Sequence, residues 1–113
     1  GFSVNKYGGV LGVNNKDGKS VAVLIADENG GSLGIFNNEF QPVALLSATA
    51  DGGLMDIRNK DGKIIAGLFV IKNGGALSIL NEDGKPVAAL GASEIGGMLI
   101  TLDNKGETTS TLP

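Results

Sequence analysis

The sequence contains no cysteine, histidine or tryptophan among its 113 residues. Without cysteine and histidine there are no disulfides, no thiol or imidazole catalysis, and none of the usual zinc and haem ligands. The absence of tryptophan removes the best ring for stacking on a sugar or a base. We therefore expect no metal and no other cofactor.

Charge and long hydrophobic runs are also sparse. Nine basic and twelve acidic side chains give a net charge of −3, and such a surface is a poor match for nucleic acid or an anionic membrane. The unbroken apolar runs are only a handful of residues, far below the length that spans a bilayer. We expect neither nucleic acid nor a membrane as a partner, and one domain of modest size.

Glycine is abundant, with 19 residues against three prolines, and its placement reveals an internal repeat. Five Gly-Gly pairs follow one another at intervals of 22 residues without insertion or deletion. The chain 1–113 is therefore interpreted as a single repeat domain, with a partial repeat 1–7 and full repeats from 8, 30, 52, 74 and 96. The pairs are Gly8-Gly9, Gly30-Gly31, Gly52-Gly53, Gly74-Gly75 and Gly96-Gly97.

Aligning the repeats gives the consensus GGxLxIxNxDGKxVAxLxAxxN, in which the apolar positions hardly vary. Position 4 holds Leu11, Leu33, Met55, Leu77 and Leu99; position 15 holds Ala22, Ala44, Ala66 and Ala88; position 17 holds Leu24, Leu46, Leu68 and Leu90. Position 6 is Val or Ile in the first four repeats, and position 19 is Ala or Val. One side of the folded repeat must carry this set.

Two turns divide each repeat into strands of about seven residues. Dipeptides such as Asn29-Gly30 predict two-residue type I′ hairpins, and segments such as 60–63 (Lys-Asp-Gly-Lys) predict four-residue loops with Gly62 left-handed. Phe40 stands where the second repeat should have this glycine, so we expect either a distorted backbone at Phe40 or a rearranged loop. The segment 43–50 is rich in Ala and Leu and would favour a helix alone, but its aligned neighbours favour a strand.

These turns fix a register. A two-residue Asn29-Gly30 loop places Leu33 opposite Ala26, and a four-residue second loop places Leu11 opposite Leu24. Both put positions 4, 6, 15, 17 and 19 on one face of an antiparallel meander, with a stagger of about two residues per repeat. The other face is mixed, with Asp56 and Phe69 among its residues.

A single sheet cannot leave its aliphatic face in water, so the face must be covered. The fold predicted here is all-β, an antiparallel meander of five 22-residue hairpin repeats packed as a homotrimeric β-prism, because small residues near the margins and Leu at the centre suit three sheets around an axis. The alternative is a closed ten-stranded up-and-down β-barrel. In the prism, the oligomer core consists of the residues at positions 4, 15 and 17 named above, except Leu99.

The recurring Asn-x-Asp-Gly-Lys turns and Val-Ala-x-Leu-x-Ala strands resemble the trimeric β-prism shafts of bacteriophage tail fibres and spikes, and related bacterial surface fibres. The resemblance covers the whole chain as a pattern. It implies a homotrimer, a spacer or receptor-facing role, and a location on a virion or a cell surface. It transfers no catalytic residue.

Chemical alternatives are weak. An EF-hand frame around Asp17 would place apolar Val13 at the first ligand position, so hairpin turns explain the Asp-Gly pairs better than calcium binding. Every acidic residue except Asp56 lies in or beside a predicted turn, so we expect no enzyme. The row of Asn at position 8, Asn15 being its first member, suits backbone capping or, as an alternative, sugar binding.

The sequence thus favours a structural, non-enzymatic module that acts as a rigid trimeric fibre, spacer or surface-attachment element. The alternative is a binding module, either a surface that recognises a cell-surface glycan or a barrel filled with a small lipophile.

Overall fold

The turns divide the chain into segments that are too short for stable helices. These segments are rich in β-branched residues and leucine, which favour strands. A computed structural model describes residues 1–113 and contains eleven strands and no helix, so no helix is present that could cross a membrane. The alanine-rich segment after Pro42 is a strand, as its repeat neighbours predict. The strands are β1 (Phe2–Asn5), β2 (Gly8–Asn14), β3 (Ser20–Asp27), β4 (Gly30–Phe36), β5 (Pro42–Thr49), β6 (Gly52–Arg58), β7 (Ile64–Ile71), β8 (Gly74–Leu80), β9 (Pro86–Ser93), β10 (Gly96–Leu102) and β11 (Thr108–Leu112).

All eleven strands form one antiparallel sheet in the order of the sequence, β1 to β11. The predicted all-β meander is confirmed. The sheet is open, with β1 at one edge and β11 at the other, so the closed ten-stranded barrel is wrong. Its longest dimension is 48 Å, which matches eleven strands spaced about 4.8 Å apart in one nearly straight layer.

The Gly-Gly turns differ from the prediction. Asp27 pairs with Gly30, so the two loop residues are Glu28 and Asn29 rather than Asn29 and Gly30. Neither loop residue has a positive φ, whereas Gly30 has φ +130° inside β4. Asp at the first and Gly at the fourth position are the preferences of a type I turn, and the Asp27 Oδ1 accepts a hydrogen bond from the Asn29 N–H at 2.8 Å.

Moving this turn by one residue changes the register of the whole sheet. Leu33 lies opposite Leu24 rather than opposite Ala26, and Leu24 also lies opposite Leu11 across the other turn. Position 4 therefore pairs with position 17 in both hairpins of the repeat. The expected stagger of about two residues per repeat is absent. Because closing a barrel requires staggered, tilted strands, this register also accounts for the open sheet.

The second turn keeps most of the predicted geometry. Val13 pairs with Ala22 as expected, but the next pair is Asn14 with Ser20, which leaves Val21 as an extra residue in a bulge. The same register shift occurs in all five repeats. Two adjacent apolar residues at positions 14 and 15, which break the alternation of a strand, are the sequence signal for this bulge.

Phe40 does not rearrange its loop, and of the two expected outcomes the distorted backbone is the one observed. It has φ +61°, in the same left-handed region as Gly62 at φ +85°. The Phe40 N–H donates to the Asn37 carbonyl at 3.0 Å, as the Gly62 N–H donates to Asn59 at 3.0 Å. The turn therefore imposes a positive φ on whichever residue occupies the site, and a phenylalanine accepts it.

Candidate functional site

One face of the sheet carries a continuous row of large apolar side chains, one from each strand. The pairing places them in line from edge to edge, and we call the surface around this row the leucine face. In spatial order the row is Phe2, Leu11, Leu24, Leu33, Leu46, Met55, Leu68, Leu77, Leu90, Leu99 and Leu112.

Two further rows flank the central one on the same face. Towards the Gly-Gly turns, glycine alternates with small apolar residues, as in Gly31, Ala48 and Gly53. Towards the Asp-Gly turns, β-branched residues alternate with the predicted alanines, as in Ala44 and Ile57. The structure thus brings all twelve predicted core residues onto one face: Leu11, Leu24, Leu33, Leu46, Met55, Leu68, Leu77, Leu90, Ala22, Ala44, Ala66 and Ala88.

Nothing within the chain covers this face. No apolar residue of the protein is buried, and Leu24, Leu46, Leu68 and Leu90 are 46–51% exposed. A contiguous apolar surface running the length of a 48 Å sheet exceeds what soluble monomers normally expose. Exposed apolar surfaces of this size are typical of sites at which proteins associate.

A shallow apolar hollow lies within the leucine face near its middle. It measures about 360 Å³ and is bordered by Val70, by Gly53 and Gly75 on either side, and by Met55 and Leu68 of the central row. The missing side chains of the two glycines create the depression. It is part of the leucine face and is not a separate pocket.

The opposite face is mixed, as the sequence predicts. Asp56 is the one buried residue, at 6% exposure, between Leu45 and Gly67 on the neighbouring strands. The Arg58 Nε donates to the Asp56 Oδ1 at 3.2 Å. No group of three or more acidic side chains is placed to hold a metal ion.

The Asn row at position 8 caps the Asp-Gly turns. The Asn59 Oδ1 accepts hydrogen bonds from the N–H groups of Asp61 at 3.0 Å and Lys63 at 3.1 Å. Asp103 makes the same two bonds in the fifth repeat, at 2.9 and 3.0 Å. The predicted capping role is confirmed, and it occupies the Oδ1 atoms of the row.

Sequence reasoning missed a second capping row at position 20. Asn5, Asp27, Thr49 and Ser93 each accept a hydrogen bond from a backbone N–H of the following Gly-Gly turn. The recurrence of short polar side chains one residue before the turn is the signal that identifies it.

Neither models of known protein families nor curated proteins match this sequence.

Proposed function

We propose that the protein is a structural, non-enzymatic repeat module that associates with copies of itself through the leucine face and forms a rigid trimeric spacer or surface-attachment element. The observation that supports this most is the absence of any buried apolar residue in a chain with eleven ordered strands. Covering each ~400 Å² of apolar surface contributes about 10 kcal/mol, which a lone sheet forgoes. A second layer is needed, and the chain itself offers a matching one.

The distribution of side-chain size across the face favours three sheets. Strands of seven residues are about 24 Å long, and a triangle of that side has its centre about 7 Å from each side. This distance exceeds the ~5 Å that each sheet spans in an ordinary two-sheet sandwich, so the largest side chains belong in the middle row. At the corners the sheets converge, so a larger residue fits there only opposite a small one such as Gly53, and small residues such as Ala44 fit opposite each other.

A two-sheet sandwich suits the face less well. Its gap of about 10 Å is constant across the face, so facing rows must fill it equally at the centre and at the margins. The alanines at positions 15 and 19, such as Ala44 and Ala48, would leave empty space between two such sheets. The resemblance to β-prism shafts supports the same choice, and it favours a location on a virion or a cell surface.

The mass of the assembly in solution tests the proposal. Light scattering on the wild-type protein should give about three times the chain mass of 11.4 kDa, unchanged on dilution through the micromolar range. A folded monomer at micromolar concentration contradicts the proposal, and a stable dimer contradicts the prism.

Glycan recognition is the second candidate, and one feature favours it. A polar hollow of about 520 Å³ lies between the Glu39-Phe40 turn and the neighbouring Asp61-Gly62 turn, and it is lined by Asn37, Asn38, Glu39, Gln41, Lys60 and Asp61. Phe40, in the same loop, is 58% exposed and offers a ring for stacking on a sugar. A glycan array distinguishes the two functions, because binding that is lost in Phe40→Ala and in Asn38→Ala identifies this hollow as a site.

A further inference from the structure

The second glycine of each Gly-Gly pair has no function within the single chain. Gly53 has no positive φ, and a Cβ added to it would meet nothing within 4 Å. The first glycine differs, since Gly52 has φ +139° and an added Cβ would lie 2.8 Å from the Val70 side chain. A glycine inside a strand costs about 0.5–1 kcal/mol and commonly marks the close approach of another chain.

None of the five second glycines has a positive φ or a neighbouring atom that would contact an added Cβ. They are Gly9, Gly31, Gly53, Gly75 and Gly97. All five lie on the leucine face, at the margin next to the Gly-Gly turns. Their recurrence therefore requires something outside the chain that occupies the space above this margin.

The opposite margin of the same face supplies the complementary shape. Each strand that begins with a glycine at one margin carries a larger residue at the other margin, as Gly53 and Ile57 do on β6. The full-length strands between them carry small residues at both margins, as Ala44 and Ala48 do on β5, except β7, which carries Val70. The five large residues are Val13, Ile35, Ile57, Ile79 and Thr101, and the three isoleucines are 39–40% exposed.

We infer that the leucine face is covered by further copies of this chain in a head-to-tail, in-register ring of three, in which Ile57 of one copy packs over Gly53 of the next. This inference rests on the trimer proposed above and specifies its contacts. A three-fold axis parallel to the rows brings the start of a strand in one copy to the end of the same strand in its neighbour. The larger residue then meets glycine on the even-numbered strands, and alanine meets alanine on β3, β5 and β9. On β7, Ala66 meets Val70.

Other arrangements break this complementarity. A shift by one strand sets Ile57 against an alanine or Val70 and leaves glycine facing alanine, so overfilled and empty corners alternate. A shift by a whole repeat keeps the sizes matched, but three copies shifted in one sense form an open spiral and not a closed ring. The face measures about 48 by 28 Å, well above the ~800 Å² per partner of a stable interface.

Cysteine cross-linking tests the pairing directly, because the chain has no cysteine of its own. Gly53 and Ile57 are four residues apart on one strand, roughly 13 Å, so a short bifunctional thiol reagent that spans half that distance cannot join them within a copy. The variant Gly53→Cys/Ile57→Cys should give a covalent trimer on a denaturing gel. Gly53→Cys alone, Ile57→Cys alone, and the one-repeat-shifted pair Gly53→Cys/Ile79→Cys should stay monomeric on the gel.

Each other result overturns the inference. Cross-linked dimers from either single variant indicate an isologous contact, and dimers from the first pair as the largest product indicate a two-sheet assembly. Covalent products from the shifted pair indicate a spiral. No product from any variant, with light scattering still reporting a trimer, refutes this pairing and leaves the trimer standing; a folded monomer by light scattering refutes the trimer itself.

A size swap provides a second readout. Gly53→Ile and Ile57→Gly should each raise the concentration at which the trimer half dissociates by roughly tenfold or more, through overpacking and a cavity respectively. The double variant keeps one glycine and one isoleucine at each corner and should recover most of that loss. Gly12→Ile, on the opposite face, is the matched control and should leave dissociation unchanged. Additive losses in the double variant contradict the pairing.

Discussion

The Phe40 ring stacks on the Phe36 ring, with centroids 4.8 Å apart and planes inclined by 15°. The stack offsets part of the cost of holding a phenylalanine at φ +61°. Phe36 in turn lies over Gly34, where an added Cβ would come within 3.3 Å of the ring. Phe40, the residue that departs from the repeat, thus packs on Phe36, and Gly34 leaves room for the Phe36 ring.

We expect Phe40→Gly to change the free energy of unfolding by less than about 1 kcal/mol in the wild-type chain, because relief of the left-handed strain and loss of the stack oppose each other. In a Phe36→Ala background the stack is already gone, so Phe40→Gly should stabilise by about 1 kcal/mol. Urea unfolding of the four chains at one protein concentration measures the difference. Equal effects in both backgrounds would show that the stack contributes nothing.

Asn59→Ala removes two hydrogen bonds to the backbone of its turn and should destabilise by about 1–2 kcal/mol. Asn59→Asp is the matched control, because Asp103 makes the same bonds in the fifth repeat. It should unfold within about 0.5 kcal/mol of the wild type by thermal or urea denaturation. If both variants lose stability equally, the side-chain oxygen is not what stabilises the turn.

Arg58→Leu leaves the carboxylate of Asp56, whose side chain is 8% exposed, without its partner and should cost about 1–3 kcal/mol. The double variant Asp56→Ile/Arg58→Leu copies Ile100 and Leu102 from the fifth repeat. It should be at least as stable as the wild type, since an apolar pair needs no desolvation of charge. A double variant less stable than Arg58→Leu alone would contradict this account of the ion pair.

Leu68→Asp places a carboxylate at the middle of the leucine face, where three copies meet in the proposed trimer. The cost of several kcal/mol per buried carboxylate should dissociate the assembly at micromolar concentration, with unfolding or aggregation of the chain. Ser47→Asp, on the opposite face, should keep the wild-type mass. Light scattering and circular dichroism report both, and a Leu68→Asp protein with wild-type mass and melting temperature excludes a role for this face in assembly.

Much of this protein could be predicted from its sequence. The 22-residue spacing of the glycine pairs and the alternation of Leu, Ile and Ala determine the strands, the meander and the membership of the leucine face. Those features depend on local turn preference and on the period of two along a strand, which any single repeat displays. Five aligned copies also overrule the helical preference of the segment 43–50.

The tertiary structure decided the register and, with it, the shape. Asn29-Gly30 is compatible with a hairpin whose loop starts at either Glu28 or Asn29, and only strand pairing selects between them. That choice of one residue sets Leu24 opposite Leu33, removes the stagger that a barrel needs, and lines up the central row from β1 to β11. Register is a relation between strands, so no single stretch of sequence contains it.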